Sequence, residues 1–262
     1  MRSAVFGTTA EDPVTQWLRA RAMSLDDLTP LRIALNGVRV VGLGEATHGS
    51  REFFLIRHRL LEFLVEELGF TTLAVEAGAS ASRAVDDYVQ GGSGDPVDAV
   101  DLLLADPDAR VALWAHNGHV MKGAHSGGSV PAMGLHLGQR HGEAYYALGV
   151  LFGAGRFRAR RARFGKVDPA RPPVTFRVPL VRRPAIVEAR LATAHPGDHV
   201  IDLRNGPRPE AVTRWLGEPL HMRGYGAVVR RFTYKLGYMP TVLAEHFDGI
   251  AFVPEVTAST PL

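Results

Sequence analysis

The sequence predicts an α/β fold: a mostly parallel central sheet flanked by helices, with a site at the carboxyl ends of the strands. Three observations carry that expectation. Apolar runs rich in β-branched residues alternate with stretches of helical periodicity. Val38–Leu43, Thr72–Val75 and Val111–Trp114 are apolar without alternation, as strands buried on both faces of a parallel sheet are. Each of these runs is followed at once by titratable side chains. Strand–helix–strand order over 262 residues fits one domain spanning 1–262, with strands and helices in separate layers.

The elements follow in order. Asp12–Ala22 reads as an opening helix, Val38–Leu43 as the first strand and Ser50–Leu68 as a long helix. Thr72–Val75 is a strand, and helical patterns lie near Ser80–Val89 and Pro96–Leu104. Val111–Trp114, Ala144–Phe152 and Val174–Val178 are further strands. The helical pattern Ala185–Ala194, the strand His199–Leu203, the helical pattern Pro209–Leu216 and the strand Ile250–Val253 complete the chain. "GGSGDP" and "VDPARPP" have the composition and length of loops, and no repeat or linker interrupts the pattern.

Composition removes several function classes. The chain has no cysteine, so a thiolate nucleophile, a disulfide and a Cys-based metal site are excluded. The first twenty residues show no basic segment followed by an apolar one, and no apolar stretch reaches the ~18 residues of a membrane span. The expectation is a cytoplasmic protein without membrane partners, its oligomeric state open. Net charge is +3, and the excess is local: residues 156–183 hold nine Arg and one Lys against Asp168 alone. "GRFRARRARFGK" is either an electropositive patch for an anion or a surface hairpin whose arginines alternate with Phe157, Ala159, Ala162 and Phe164. No nucleic-acid-binding module accompanies it, so the hairpin reading is preferred and no nucleic-acid partner is expected.

The helix after Ser50 is the most informative element. Ser50 suits an N-cap. Phe53, Phe54, Ile56, Leu60, Leu61, Leu64 and Leu68 fall on one face, and His58, Arg59, Glu62 and Glu66 on the other. Arg57 sits in the middle of the apolar face. A guanidinium there must snorkel to solvent or meet an anion, and Glu45 and Glu76 are the acids at hand.

The strand ends supply the chemistry. "GLGEATHG" places Glu45 and His48, "LAVEAG" places Glu76, and "ALWAHNGH" places His116, Asn117 and His119. If the strands are neighbours, these groups converge, since ligands of open parallel sheets bind at the carboxyl ends of the strands. His48 precedes a helix N-terminus, which disfavours imidazolium and suits it to general-base work. Glu45 or Glu76 would accept its other N–H, Arg57 would hold a carboxylate, and His116, Asn117 and His119 would donate to an oxyanion. That set describes a hydrolase that activates water without a covalent nucleophile. Tyr225, in "HMRGYG", is a second candidate for binding substrate.

Rival chemistries are weaker. "GLGEATHG" has Thr47 where a dinucleotide fingerprint needs glycine, and Glu45 would repel a pyrophosphate. Neither a P-loop nor the Gly-x-Ser-x-Gly elbow occurs. A metal is the serious rival, because Glu45, His48, Glu76, His116 and His119 are suitable ligands by type. Their spacing is not diagnostic, since His-x-x-His at a strand end does not set both rings on one face. A non-hydrolytic relative with a ligand-binding or biosynthetic role is the other alternative.

At these residues the sequence resembles a known family. "VVGLGEATHGSREFF", "LAVEAG", "VALWAHNGHV", "IDLRN", "RWLGEPLHMRGYG" and "FDGIAFVPEVTASTPL" are similar, in order, to segments of the erythromycin esterase family. The resemblance implies metal-independent hydrolysis of a macrolide lactone or other ester, no cofactor, and His48 as general base. It also implies that Glu45, Arg57, Glu76, His116 and His119 are active-site residues. Members of that family carry a long helical stretch before the segment matching "VALWAHNGHV". Here "VDAVDLLLADPDAR" alone fills that space, so the resemblance speaks more for the chemistry than for the substrate.

Overall fold

Val40, Val41 and Leu43 are almost completely buried, on a strand that is paired on both edges and covered on both faces. A computed structural model describes residues 11–76, 104, 108–124, 130–163, 166–168, 170–230 and 233–260. Its strands are β1 (Met23–Ser24), β2 (Val40–Leu43), β3 (Thr72–Val75), β4 (Val111–Trp114), β5 (Tyr145–Arg163), β6 (Lys166–Val167) and β7 (Val174–Val178). They continue as β8 (His199–Asp202), β9 (Leu220–Arg223), β10 (Val228–Arg230), β11 (Tyr238–Thr241) and β12 (Gly249–Val256). The main sheet runs β1-β8-β12-β5-β2-β4-β3. From β12 to β3 every neighbour is parallel, while β8 and β1 close the other side antiparallel.

The mostly parallel α/β sheet is therefore the fold that the alternating pattern predicts. His199–Leu203 is the antiparallel exception, because its hydrogen bonds run to β12 against the direction of that strand. Thr72–Val75 also departs from expectation. Leu73 and Val75, which share one face of β3, are 43% and 52% exposed rather than buried, and β3 is the edge of the described sheet. The helical patterns at Ser80–Val89 and Pro96–Leu104 lie outside the described residues apart from Leu104, as does Phe164.

Helices α1 (Pro13–Arg21), α2 (Leu31–Ala34) and α3 (Arg51–Leu68) precede β4. After it come α4 (Asn117–Val120), α5 (Met133–His141), α6 (Val187–Ala194), α7 (Glu210–Gly217) and α8 (Leu243–His246). Helix α3 buries Phe53, Ile56, Leu60, Phe63 and Leu64, joining the same apolar cluster as the sheet. Phe54 is 42% exposed instead, turned toward the end of β4. Gly69, at φ 68°, ends α3 in the left-handed conformation that glycine adopts without strain, and returns its N–H to the Leu64 carbonyl. Ser50 occupies the N-cap position, but its hydroxyl faces the Glu52 carboxylate at 3.2 Å rather than a helix N–H.

Strand β5 overshoots the others. Its first half pairs with β2 and β12, and beyond Gly155 it carries β7, β10 and β6. The overshoot runs on past the end of β2. Arg158 bonds the Gly49 carbonyl through its N–H at 3.0 Å, and a Cβ on Gly49 would fall onto the Arg158 backbone, so only glycine permits this approach.

Candidate active site

Strand register sets the geometry. Leu43 and Val75 are both partners of Trp114, so β2, β3 and β4 end at one level. Glu45, Glu76 and His116 lie just beyond those ends, held by backbone bonds from Glu76 to Trp114 and from Asn117 to Glu45, both 2.8 Å. The convergence expected of these strand ends is present.

Glu45 links two partners. Its Oε2 accepts from Arg57 Nη2 and its Oε1 from His48 Nδ1, each at 2.6 Å. Glu45 and Arg57 are 3% and 1% exposed, so this charge pair has left water almost entirely. Arg57 therefore does not snorkel. Its guanidinium is buried against Trp114 at 3.6 Å and Phe54 at 5.4 Å, a cation over aromatic faces. Burial lowers its pKa to about 10, against the opposing pull of Glu45, and it stays cationic at neutral pH.

A carboxylate only accepts, so the His48 proton resides on Nδ1 and the Nε2 lone pair is left to take a proton from water. The hydrogen bond to Glu45 raises the His48 pKa, outweighing burial. This reverses the expectation from the neighbouring helix N-terminus: a direct carboxylate contact is stronger than a terminal dipole.

Glu76 serves a second histidine rather than His48. Its Oε1 lies 3.2 Å from His119 Nε2, and its Oε2 accepts the His116 backbone N–H at 2.8 Å. The His119 bond is the main cause lowering the Glu76 pKa to about 2, and the same bond raises that of His119. The one-turn helix α4 after β4 sets the His116 and His119 rings 6.4 Å apart at i, i+3, closer company than a bare strand end provides.

His116 lies between the pairs, its ring 5.4 Å from that of His48. Burial, then the nearby charge of His48, pushes its pKa down to about 4, so it is neutral at pH 7. Its Nδ1 accepts the Gly118 N–H at 3.1 Å, which leaves the proton on Nε2. That Nε2 is buried and has no partner among the described residues. A neutral imidazole with an unused donor is suited to an oxyanion.

Asn117 and Tyr225, the groups expected to bind substrate, are both buried. Where β2 stops, Val150 on β5 loses its ladder partner, and the fully buried Asn117 carboxamide replaces it: Nδ2 donates to the Val150 carbonyl at 2.9 Å and Oδ1 accepts its N–H at 3.0 Å. Tyr225 is 3% exposed and stacked on Phe157 at 4.7 Å. Nothing in the sequence pattern marks Trp114 or Arg158 for a role. Trp114 covers Arg57, and Arg158 lines, with His48, Gly49 and Arg160, a cleft of about 270 Å³. Among the described residues no three His, Asp or Glu side chains are grouped to hold a metal ion, because each carboxylate is committed to its own histidine.

Fold and site together define an α/β protein with paired histidine–carboxylate couples at the carboxyl edge of a parallel sheet. The sequence profile described as erythromycin esterase matches residues 65–106 and 97–256, and the chain belongs to the erythromycin esterase family. Erythromycin esterase type II of Escherichia coli is 47% identical over 66 residues, which are 25% of this chain and 16% of that protein. The chain thus matches less than a fifth of the length of this curated relative. A solved structure of a succinoglycan biosynthesis protein superposes with a TM-score of 0.72 at 16% identity, covering 97% of this chain and 99% of the other. A solved erythromycin esterase, the EreC H289N mutant in its open conformation, gives 0.63 at 15% identity, covering 89% and 95%. At those identities the two structures speak for the fold alone. No helix among the described residues is long and apolar enough to cross a membrane.

Proposed function

We propose that the protein is a hydrolase of a carboxylic ester or macrolide lactone that uses histidine-activated water and no metal. The observation that carries this reading is the Glu45–His48 bond of 2.6 Å, which fixes the imidazole with its basic nitrogen free. In this reading His48 Nε2 takes a proton from water as the oxygen attacks the substrate carbonyl. The negative charge formed on the carbonyl oxygen is met by the neutral His116 Nε2–H. His119, its pKa raised by Glu76, hands a proton to the departing alkoxide. Arg57 acts through Glu45, holding the carboxylate that holds the base.

Membership of the erythromycin esterase family supports the reaction class, and the activity of the Escherichia coli relative makes a macrolide lactone the first substrate to try. The test is incubation with erythromycin, simpler lactones and short esters, followed by mass spectrometry. Gain of one water, unaffected by a chelator, is the expected result. Activity that chelation removes, with stoichiometric metal in the purified protein, sinks the metal-free reading. Binding without turnover across the panel sinks the hydrolase.

A further inference from the structure

Strand β12 leaves the sheet at Val256, the last residue it pairs with β5. The backbone beyond it must find new partners, and it finds them in the segment that follows His48. Arg51 donates its N–H to the Thr257 carbonyl, and Ser259 donates its N–H to the Gly49 carbonyl, each at 3.0 Å. Between these bonds lies an antiparallel bridge of Ser50 with Ala258. The Thr257 carbonyl thus takes one of the N–H groups that the start of α3 leaves unpaired. Residues 257–259 form a strap across that helix start.

Glu52 fastens the strap. Its Oε2 accepts the Thr257 N–H at 2.6 Å and the Ser50 hydroxyl at 3.2 Å, and its Oε1 accepts the Thr257 hydroxyl at 2.5 Å. Hydrogen bonds to a carboxylate are shorter and stronger than those between neutral groups. The Gly49 carbonyl also accepts the Arg158 N–H at 3.0 Å, so the residue after His48 is gripped between β5 and the strap. The strap then reaches the site itself. Ser259 lines the cleft of about 270 Å³ together with His48 and Gly49. A strap that merely anchored the end of β12 would account for the Glu52 bonds. It would not account for its third residue lying in the same cleft as the candidate base.

We propose that residues 257–259 form one wall of the candidate active site, that Ser259 limits the size of the group that can lie beside His48, and that Glu52 is the positioning residue that holds this wall in place. The size limit on a substrate rests on the hydrolase reading above; the wall does not.

The test uses the absence of cysteine from the chain. In Ser259→Cys, benzyl methanethiosulfonate attaches a benzylthio group to the folded protein at this one position, and dithiothreitol removes it. Diethyl pyrocarbonate acylates neutral imidazole and reports access to His48, with His58 on the exposed face of α3 as the reference. Mass spectrometry reads both histidines. His48 of the labelled protein is expected to react at least about 10-fold more slowly than after reduction, because the group fills the cleft, while His58 is unchanged. Ser259→Trp against the unsubstituted protein gives the same comparison if the thiol resists labelling. Equal rates at His48, or equal slowing at His58, overturn the wall. In Glu52→Ala the strap loses its acceptor, so the effect of the label should shrink to about 3-fold or less, and Glu52→Gln, which keeps one accepting oxygen, should restore part of it. An undiminished effect in Glu52→Ala overturns the role of Glu52. On 4-nitrophenyl butyrate the label should lower kcat/KM by at least about 10-fold, mainly through KM, and reduction should reverse the loss. A rate that ignores the label overturns the size limit. If no ester is cleaved while the label still shields His48, the wall stands and the hydrolase reading fails.

Discussion

Arg57 Nη2 donates to Glu45 Oε2 at 2.6 Å, and the two residues, on α3 and beyond β2, are both almost wholly withdrawn from solvent. The guanidinium lies over Trp114, 3.6 Å from its ring centre, at the end of β4. One cation therefore ties the long helix to two strand ends. Removing it leaves a carboxylate buried without its charge partner. Arg57→Met is expected to destabilise the fold by about 3–5 kcal/mol in urea titrations, because an uncompensated buried charge is left behind. Arg57→Lys should restore little, since one ammonium cannot cover the indole and also bond both the Phe53 carbonyl and the Glu45 carboxylate. A loss below about 1 kcal/mol for Arg57→Met speaks against a structural role for the pair.

His48 carries less of the fold. Its side chain is 37% exposed, and its polar contact with a side chain is the Glu45 bond. His48→Ala is expected to lower kcat/KM on a verified ester by about 10²–10⁴-fold while the unfolding midpoint moves little. An undiminished rate on that substrate removes His48 as the base.

The pH dependence of that rate tests Glu45. His48 must be neutral to accept a proton, and its pKa is raised above 6.5 chiefly by the hydrogen bond to Glu45. The acid limb of kcat/KM is therefore expected above pH 6.5. Glu45→Gln withdraws the stabilisation of imidazolium, so the limb should move to lower pH even as the rate falls. His116 is neutral above about pH 4 and does not titrate across this limb. A limb that stays in place in Glu45→Gln assigns it to a different group.

What the sequence made legible was local. Glu45 and His48 are three residues apart, and the wheel of one helix placed Arg57 in an apolar face with two acids as possible partners. Choosing between those acids needed the strand register, because Leu43 and Val75 both align with Trp114 across separations of many residues. The same register gives Glu76 to His119 rather than to His48. Short elements stayed hidden for other reasons. Met133–His141 contains two glycines and two histidines, weak helix formers, and is held by Gly134 packing on the Val120 carbonyl. β9 and β11 pair with each other across a segment that holds β10, and show no buried alternation strong enough to mark them.

Asn117 and His116 are adjacent in sequence and opposite in kind, and a pair of variants separates them. Asn117→Ala leaves the Val150 N–H and carbonyl buried without partners, so it is expected to destabilise the fold by about 2–3 kcal/mol. Its side chain faces β5 rather than the cleft, so kcat of the folded fraction should hold. His116→Phe keeps the ring and much of the packing but removes Nε2–H. Its kcat should fall about 10²–10³-fold, the usual loss of one oxyanion donor, with a smaller change in KM. The Gly118 N–H loses an acceptor in that variant, so a modest loss of stability accompanies it. Chemical denaturation and steady-state kinetics on the same samples decide the matter. If Asn117→Ala loses turnover at full stability while His116→Phe keeps it, the donor assigned to His116 belongs to Asn117 instead.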